Sequence, residues 1–316
     1  MSNATAPELY RKHRPTAFKH LIGQPEAVAM LTRMCKDGSL PHVLLLHGPS
    51  GTGKTTLARI LKSKLACDDL DFAEINAAES RGIDTIREIK VRMGMSPVGG
   101  PCRIYLLDES HKLSSDAMSA LLKILEDTPR HVYFFLCTTD PDKLLPAIQT
   151  RCTKVGLRAL NDAEVRQVIE AVLTAEGMTL SSRVITAVIE VAGGSARQAV
   201  VSLQEALALP DEESQLAKLR AGDIKRQAFD LVKALLWEKN KWADIAKLIS
   251  ELQTEDWESL RRLILACATT EALKAGKSAP FAYNILVAFN TGFYESNKAG
   301  RAALVAACYE VMLAKK

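Results

Sequence analysis

Gly48-Pro49-Ser50-Gly51-Thr52-Gly53-Lys54-Thr55 is the stretch that decides the fold. It follows the apolar run Val43–Leu46 and precedes a helical segment that starts near Thr55 and Thr56. The pattern is G-x-x-x-x-G-K-[ST] in a strand–loop–helix setting, which reads as a phosphate-binding loop. Its glycines let the backbone curl so that N–H groups face phosphate oxygens, and the helix that follows points its positive end at the same place. Lys54 is expected to reach the β- and γ-phosphates of a nucleotide, and the Thr55 hydroxyl to complete a Mg²⁺ shell. A glycine-rich turn that merely contains a lysine is the alternative, and the flanking strand and helix argue against it.

Working outward, the apolar runs Val43–Leu46, Phe72–Ile75, Ile104–Leu107 and Val132–Cys137 alternate with helical segments, with a further strand expected at Thr153–Leu157. That alternation predicts an α/β domain built on a parallel sheet. A helix over Ser115–Glu126 sets Met118, Leu121, Leu122 and Leu125 on one side. After Leu160 the strand signals stop. Asn161 with Glu164 forms a capping box for a helix to Glu176; further helices start at Ser181 or Ser182 and cover Ala196–Leu209. The polar stretch 211–223 reads as a linker. Beyond it Trp242, Ile245, Ala246 and Ile249 follow helical spacing, as do Trp257, Leu260, Ile264 and Cys267, with two more helices at Phe281–Phe289 and Ala302–Leu313. The expected domains are residues 1–160, 161–221 and 222–316.

The run ending Leu107-Asp108-Glu109 places two acids at a buried strand end, which is costly unless they have partners or a task. Asp108 suits a magnesium ion, directly or through water, and Glu109 suits a general base that polarises an attacking water. The alternative reading is an acid pair that serves as an N-cap for the next helix. Thr138-Thr139 at the end of the next apolar run orient a water or simply cap the strand.

The whole chain narrows the class. It has 316 residues, 41 Lys plus Arg against 37 Asp plus Glu, a net charge of +4, and 47% apolar residues, enough for two or three packed domains. The apolar runs are too short to span a membrane. The opening residues MSNATAPELYRKHRP lack the apolar core of a secretory leader. A near-neutral total neither requires nor excludes nucleic acid, because a local patch can act alone. The seven cysteines, Cys35, Cys67, Cys102, Cys137, Cys152, Cys267 and Cys308, form no C-x-x-C pair and read as buried thiols in a reducing compartment.

With these motifs the chain resembles the AAA+ ATPases, and among them the sliding-clamp loader subunits: the bacterial DNA polymerase III γ/τ subunits and the small replication factor C subunits. The resemblance covers residues 8–209; the last hundred residues match only in length, helicity and position. Tyr10-Arg11-Lys12-His13-Arg14-Pro15 through Ile22-Gly23-Gln24 is similar to the family's amino-terminal segment around adenine, which implies Tyr10, Arg14, Pro15 and Ile22 as nucleotide contacts. Asp108-Glu109 stand at the Walker B acids and Thr139 at sensor 1. Thr150-Arg151-Cys152 matches the Ser-Arg-Cys motif, whose arginine is a finger into a neighbouring subunit's ATP site. Gly194-Ser195-Ala196-Arg197 matches sensor 2, whose arginine contacts the γ-phosphate from the lid. A planar guanidinium suits that work, although by itself either arginine also suits a surface charge.

The resemblance implies an ATPase core, a helical lid and a helical collar. It also implies ATP and Mg²⁺ as ligands and assembly with other loader subunits in a pentameric ring or spiral. The activity implied is ATP-driven loading of a sliding clamp onto primer–template DNA. Arg81, Arg87 and Lys90 fall in a segment similar to one that faces duplex DNA in replication factor C, and suit phosphates without reading bases; a solvated helix face is the other reading. Bacterial γ/τ proteins insert a four-cysteine zinc module after the first helix of the core. Here Cys67 is followed at once by Asp71-Phe72, so no zinc is expected. The chain also stops after one collar-length region without a τ-type tail, as a phage or streamlined loader would, which implies a cytoplasmic setting in a bacterial or phage-infected cell. The rival readings are another AAA+ DNA remodeller, such as a branch-migration helicase, and an ATP-holding scaffold that hydrolyses little. A metabolic phosphotransferase would leave the lid and collar regions unexplained.

Overall fold

Five short segments form strands: β1 (Val43–His47), β2 (Phe72–Asn76), β3 (Arg103–Asp108), β4 (Val132–Thr138) and β5 (Thr153–Gly156). In this computed structural model, which describes residues 8–237, 240–252, 257–274, 276, 278–292 and 297–314, they make one parallel sheet in the order β2-β3-β4-β1-β5. The first seven residues of the expected amino-terminal arm lie outside the described residues. Helices α1 (Leu9–Lys12) and α2 (Pro25–Lys36) precede the sheet. Helix α3 (Lys54–Lys64) follows β1, α4 (Ile83–Met93) follows β2, α5 (Ser115–Glu126) follows β3 and α6 (Pro146–Arg151) follows β4.

The inner strands β1, β3 and β4 read as nearly continuous apolar runs because both faces of the sheet are covered there. Successive side chains point to opposite faces. Val43, Leu45, Tyr105, Leu107, Phe134 and Leu136 therefore pack with residues of α4, α5 and α6. Leu44, Leu46, Ile104, Leu106, Phe135 and Cys137 pack with residues of α2 and α3 on the other side. In register, His47 stands opposite Thr138 and Gly156, and Asn76 opposite Asp108. The carboxyl ends of the strands thus share one edge, and the turns that carry the motifs leave from it.

After β5 the chain is helical. The Asn161 side chain accepts from the Glu164 N–H while Glu164 accepts from the Asn161 N–H, which starts α7 (Asp162–Glu176); Gly177, in the left-handed region, ends it. Helices α8 (Ser182–Ala192) and α9 (Ala196–Leu207) are capped by Ser181 and Ser195.

Two compact units divide between Pro210 and Asp211. The second contains α10 (Glu212–Leu236), α11 (Trp242–Glu251), α12 (Trp257–Leu273), α13 (Ala279–Ala288) and α14 (Asn297–Leu313). Its core includes Leu231, Leu235, Ile245, Trp257, Leu260, Ile264, Phe289 and Leu304. The expectation of a linker over 211–223 is overturned. Asp211 caps the Ser214 N–H at 2.9 Å, and α10 runs unbroken across the expected boundary at 221/222. Residues such as Lys, Gln, Glu and Ala are helix formers as well as polar ones, so polarity alone did not mark a loop. Of the three tryptophans, Trp257 is core, while Trp237 is half exposed.

The segment that enters β2 is fixed by a buried ion pair. The Asp71 carboxylate accepts from Val98 N at 2.7 Å, Gly99 N at 2.8 Å and Arg103 Nη2 at 2.8 Å. Burial alone would raise its pKa; the hydrogen bonds from Gly99, Arg103 and Val98 outweigh that and hold it below the ordinary value. The stabilisation is therefore full above the unfolded pKa of about 4 and is lost as pH falls through the lower folded value. Asp71→Asn should cost about 3 kcal/mol at pH 7 by leaving the Arg103 charge unpaired. The loss should shrink at pH 3; urea denaturation that shows the same loss at both pH values would contradict the electrostatic assignment.

Candidate nucleotide site

The loop between β1 and α3 is shaped by close approach. Gly48 has φ +145°, and a Cβ there would lie 2.1 Å from the Leu157 carbonyl oxygen. Gly51 has φ +72°, and its Cβ would meet Ser195 Oγ at 2.0 Å, so the loop lies against the start of α9. The buried Lys54 ammonium donates to the carbonyls of Gly48 at 2.8 Å and Pro49 at 2.7 Å, and Thr52 Oγ1 donates to Pro49 O at 2.9 Å. Burial pushes the Lys54 pKa down, opposed by Cys137, Glu109 and Asp108. Keeping a cation in such a place favours an anion beside it. The first backbone N–H groups of α3 add donors at the same point.

Asp108 ends β3 across β4 from that loop. Its Oδ2 accepts from Thr55 Oγ1 at 3.0 Å, and its Oδ1 accepts from the Glu109 N–H at 3.0 Å. Glu109 takes φ +52°, which turns its carboxylate to His111 Nε2 at 3.4 Å and Lys112 Nζ at 3.6 Å. His111 Nδ1 in turn lies 3.0 Å from Thr138 Oγ1. Burial lowers the His111 pKa, and Glu109 acts against it.

A cleft of about 790 Å³ joins the loop residues Ser50 to Thr56 with Asp108, Glu109 and Arg197, and with Tyr10, Arg14, Pro15 and Ile22 of the amino-terminal segment. Val168 and Val172 of α7 and Val200 of α9 supply apolar wall. Gly48 and Pro49 form the base of the loop through their carbonyls. The Arg197 N–H reaches Gly51 O at 3.5 Å, and its guanidinium lies over the Tyr10 ring, 4.7 Å from the centroid. Burial and the neighbouring Arg59 lower the Arg14 pKa, with Arg197 a further cation acting the same way, so several positive charges face this end of the cleft.

Other expected site residues stand elsewhere. Arg151, exposed at the end of α6, pairs with Glu126 and donates to Ala147 O at 3.1 Å. Thr139 is exposed in the bend after β4; Thr138, not Thr139, is buried and hydrogen-bonded to Asp140 N and His111. Arg81, Arg87 and Lys90 are exposed; Arg81 donates to Ala78 O at 2.9 Å, and Arg87 pairs with Asp84 on α4 at 2.9 Å. Sequence reasoning missed His111 and Glu176. The first was legible as a titratable group two residues beyond Glu109. The second, which takes both Lys12 and His13, left no local signal. Among the described residues no group of three or more His, Cys, Asp or Glu is placed to hold a metal, and no helix is long and apolar enough to cross a membrane. All seven cysteines are free thiols, with Cys67, Cys102, Cys137 and Cys308 buried.

A five-stranded parallel sheet, a phosphate loop beside two strand-end acids, and helices closing the cleft define an AAA+ P-loop fold. Its architecture is similar to the Thermotoga maritima RuvB Holliday junction branch migration motor, with a TM-score of 0.57 at 18% identity, over 71% of this chain and 79% of that one. That likeness concerns the fold alone. A family model described as DNA polymerase III, delta subunit, matches residues 69–161. DNA polymerase III subunit gamma of Buchnera aphidicola subsp. Schizaphis graminum is 32% identical over 257 residues, covering 74% of this chain and 71% of that protein. The subunit gamma/tau of Mycobacterium tuberculosis H37Rv is 33% identical over 223 residues, 63% of this chain and 39% of that protein's length. The tau subunit of Escherichia coli K12 is 31% identical over 278 residues, 80% of this chain and 43% of that protein. The chain belongs to the DNA polymerase III gamma/tau family of AAA+ proteins.

The close approach at Gly48 gives a direct stability test. Gly48→Ala should cost at least about 2 kcal/mol, because the new methyl meets fixed backbone in addition to the positive φ. Gly38→Ala, at φ +63° with nothing within 4 Å, should cost about 1 kcal/mol from backbone conformation alone. Equal losses in denaturant unfolding would show that the Leu157 contact is not limiting.

Proposed function

We propose that this chain is an ATP-hydrolysing subunit of a loader that opens a ring-shaped sliding clamp and sets it on primer–template DNA. The observation that carries the reading is that Lys54, Thr55, Asp108, Glu109 and Arg197 line one cleft, while Arg151 stands exposed outside it. Family membership supports the same direction. Helices α7–α9 act as lid, and the helices after Asp211 act as the collar that joins subunits.

The α3 N-terminus and Lys54 bind the phosphates. Thr55 Oγ1 and Asp108 Oδ2, hard oxygen donors 3.0 Å apart, suit Mg²⁺, which requires oxygen ligands and keeps part of its water. When bound there, Mg²⁺ would neutralise charge on the β- and γ-phosphates. Glu109 takes a proton from water as it attacks the γ-phosphorus, and the bond to the bridging oxygen breaks to leave ADP and phosphate. Arg197 in the same chain and Arg151 from a neighbour meet the charge that spreads over the transferring group. In a pentameric ring or spiral, that geometry makes turnover depend on assembly. Arg81, Arg87 and Lys90 contact DNA phosphates without reading sequence. Thr139, the family-implied sensor, is exposed just past β4 and would have to meet a bound γ-phosphate from there.

The RuvB-like fold supports a second reading, an ATP-driven remodeller of DNA junctions. A reconstituted assembly separates the two. Clamp-dependent stimulation of ATPase on primer–template DNA belongs to the loader; movement of four-way junctions with no clamp present belongs to the remodeller. Glu109→Gln should keep nucleotide binding and reduce steady-state turnover at least about 100-fold. Arg151→Ala should reduce turnover of the full assembly with clamp and DNA by on the order of 10³; unchanged turnover would remove the finger role.

A further inference from the structure

Arg197 is held differently from the arginines around it. Arg151 pairs with Glu126, and Arg158 with Glu164. Among the described residues no carboxylate pairs with Arg197; its partner is the Tyr10 ring, 4.7 Å from guanidinium carbon to centroid. A guanidinium offers two separate surfaces. Its flat face is attracted to an aromatic ring, while its in-plane N–H edge serves oxyanions. A carboxylate partner would occupy that edge. An aromatic partner that takes the face leaves that edge free.

The ring is also fixed to the helix that carries the arginine. Leu9 N donates to Gln204 Oε1 at 2.8 Å, and Gln204 lies two turns beyond Arg197 on the same face of α9. On the other side of the ring's segment, Lys12 Nζ reaches the Glu176 carboxylate of α7 at 2.7 Å, and His13 Nε2 takes the same group. Tyr10 itself accepts from Arg11 Nε through its hydroxyl at 3.0 Å. Residues 9–13 are thus strapped to α7 and α9, and Tyr10 keeps its place relative to Arg197 through both.

We propose that Tyr10 is a positioning residue for Arg197: its ring bears the guanidinium by its face and so presents the N–H edge to the γ-phosphate. The inference rests on the reading of Arg197 as a γ-phosphate contact. It differs from the implied role of Tyr10 as a wall against the base. A base contact is made equally to ADP and ATP, whereas a support for Arg197 acts only when a γ-phosphate is present.

The test is titration of the purified full chain with ATPγS and with ADP, each with Mg²⁺, followed by calorimetry. Arg197→Ala should weaken ATPγS and leave ADP unchanged. Tyr10→Leu, which keeps apolar bulk but removes the π face, should lower the ATPγS-to-ADP preference roughly 3- to 20-fold. Tyr10→Phe, which keeps the ring, should retain the preference and serves as the folding control. An equal loss for both nucleotides in Tyr10→Leu would make Tyr10 a base contact and overturn the proposal, as would no change for either. If Arg197→Ala itself leaves the preference intact, the reading of Arg197 fails and the support for it has no object.

Discussion

The parallel sheet is the constraint on which the site depends. Because all five strands run the same way, every turn that leaves their carboxyl ends opens on one edge, and chemistry gathers there. The phosphate loop leaves β1, and the acid pair leaves β3 with β4 between them. The 3.0 Å contact between Thr55 Oγ1 and Asp108 Oδ2 is the point where these two turns meet. An antiparallel partner at β3 would send Asp108 to the opposite edge and leave Lys54 buried without an acid nearby. The core on both faces of the sheet serves that alignment: Leu44, Leu45 and Leu46, all fully buried, fix the strand from which the loop springs.

Charge placement follows from the same edge. Lys54 is buried beside the acids, Arg14 and Arg197 look into one cleft with Tyr10, and Arg87 is spent on Asp84 along an exposed helix. A guanidinium already paired with a carboxylate has to break that pair before it serves another anion. Arg151 with Glu126 is such a case, and the exposed pair is weak enough, at about 0 to 1 kcal/mol, for another anion to replace it. The DNA-facing reading of Arg87 meets the same requirement. Arg81, which donates only to the Ala78 carbonyl among its described contacts, meets a smaller one.

Local features were legible in the sequence and remote ones were not. The loop Gly48–Thr55, the five strand runs, the Asn161–Glu164 capping box and the Ser115–Glu126 helix all depend on neighbours within a few residues. Helix α10 was hidden because its opening turns are polar. Thr138 and Thr139 were indistinguishable because β4 is buried on both faces, so the run carries no polar alternation to show which threonine remains in the ladder. Glu176 and Gln204 were invisible for another reason: their partners lie at the opposite end of the first unit's sequence, and nothing in a single chain's pattern pairs them.

Those two remote contacts change how the cleft is understood. A nucleotide site built only from the sheet edge would have its lid on one side and its amino-terminal segment on the other, each free to move separately. Here Leu9, Lys12 and His13 are hydrogen-bonded or ion-paired to α9 and α7. The amino-terminal wall is therefore mechanically part of the lid, while Gln24, at the end of the same segment, exchanges two hydrogen bonds with the Arg158 backbone at the exit from β5. Any rotation of α7–α9 about that point would carry Tyr10 and Arg197 together. A support tied to the arginine's own helices would keep the guanidinium's pose through such a rotation, which a support anchored on the sheet would not.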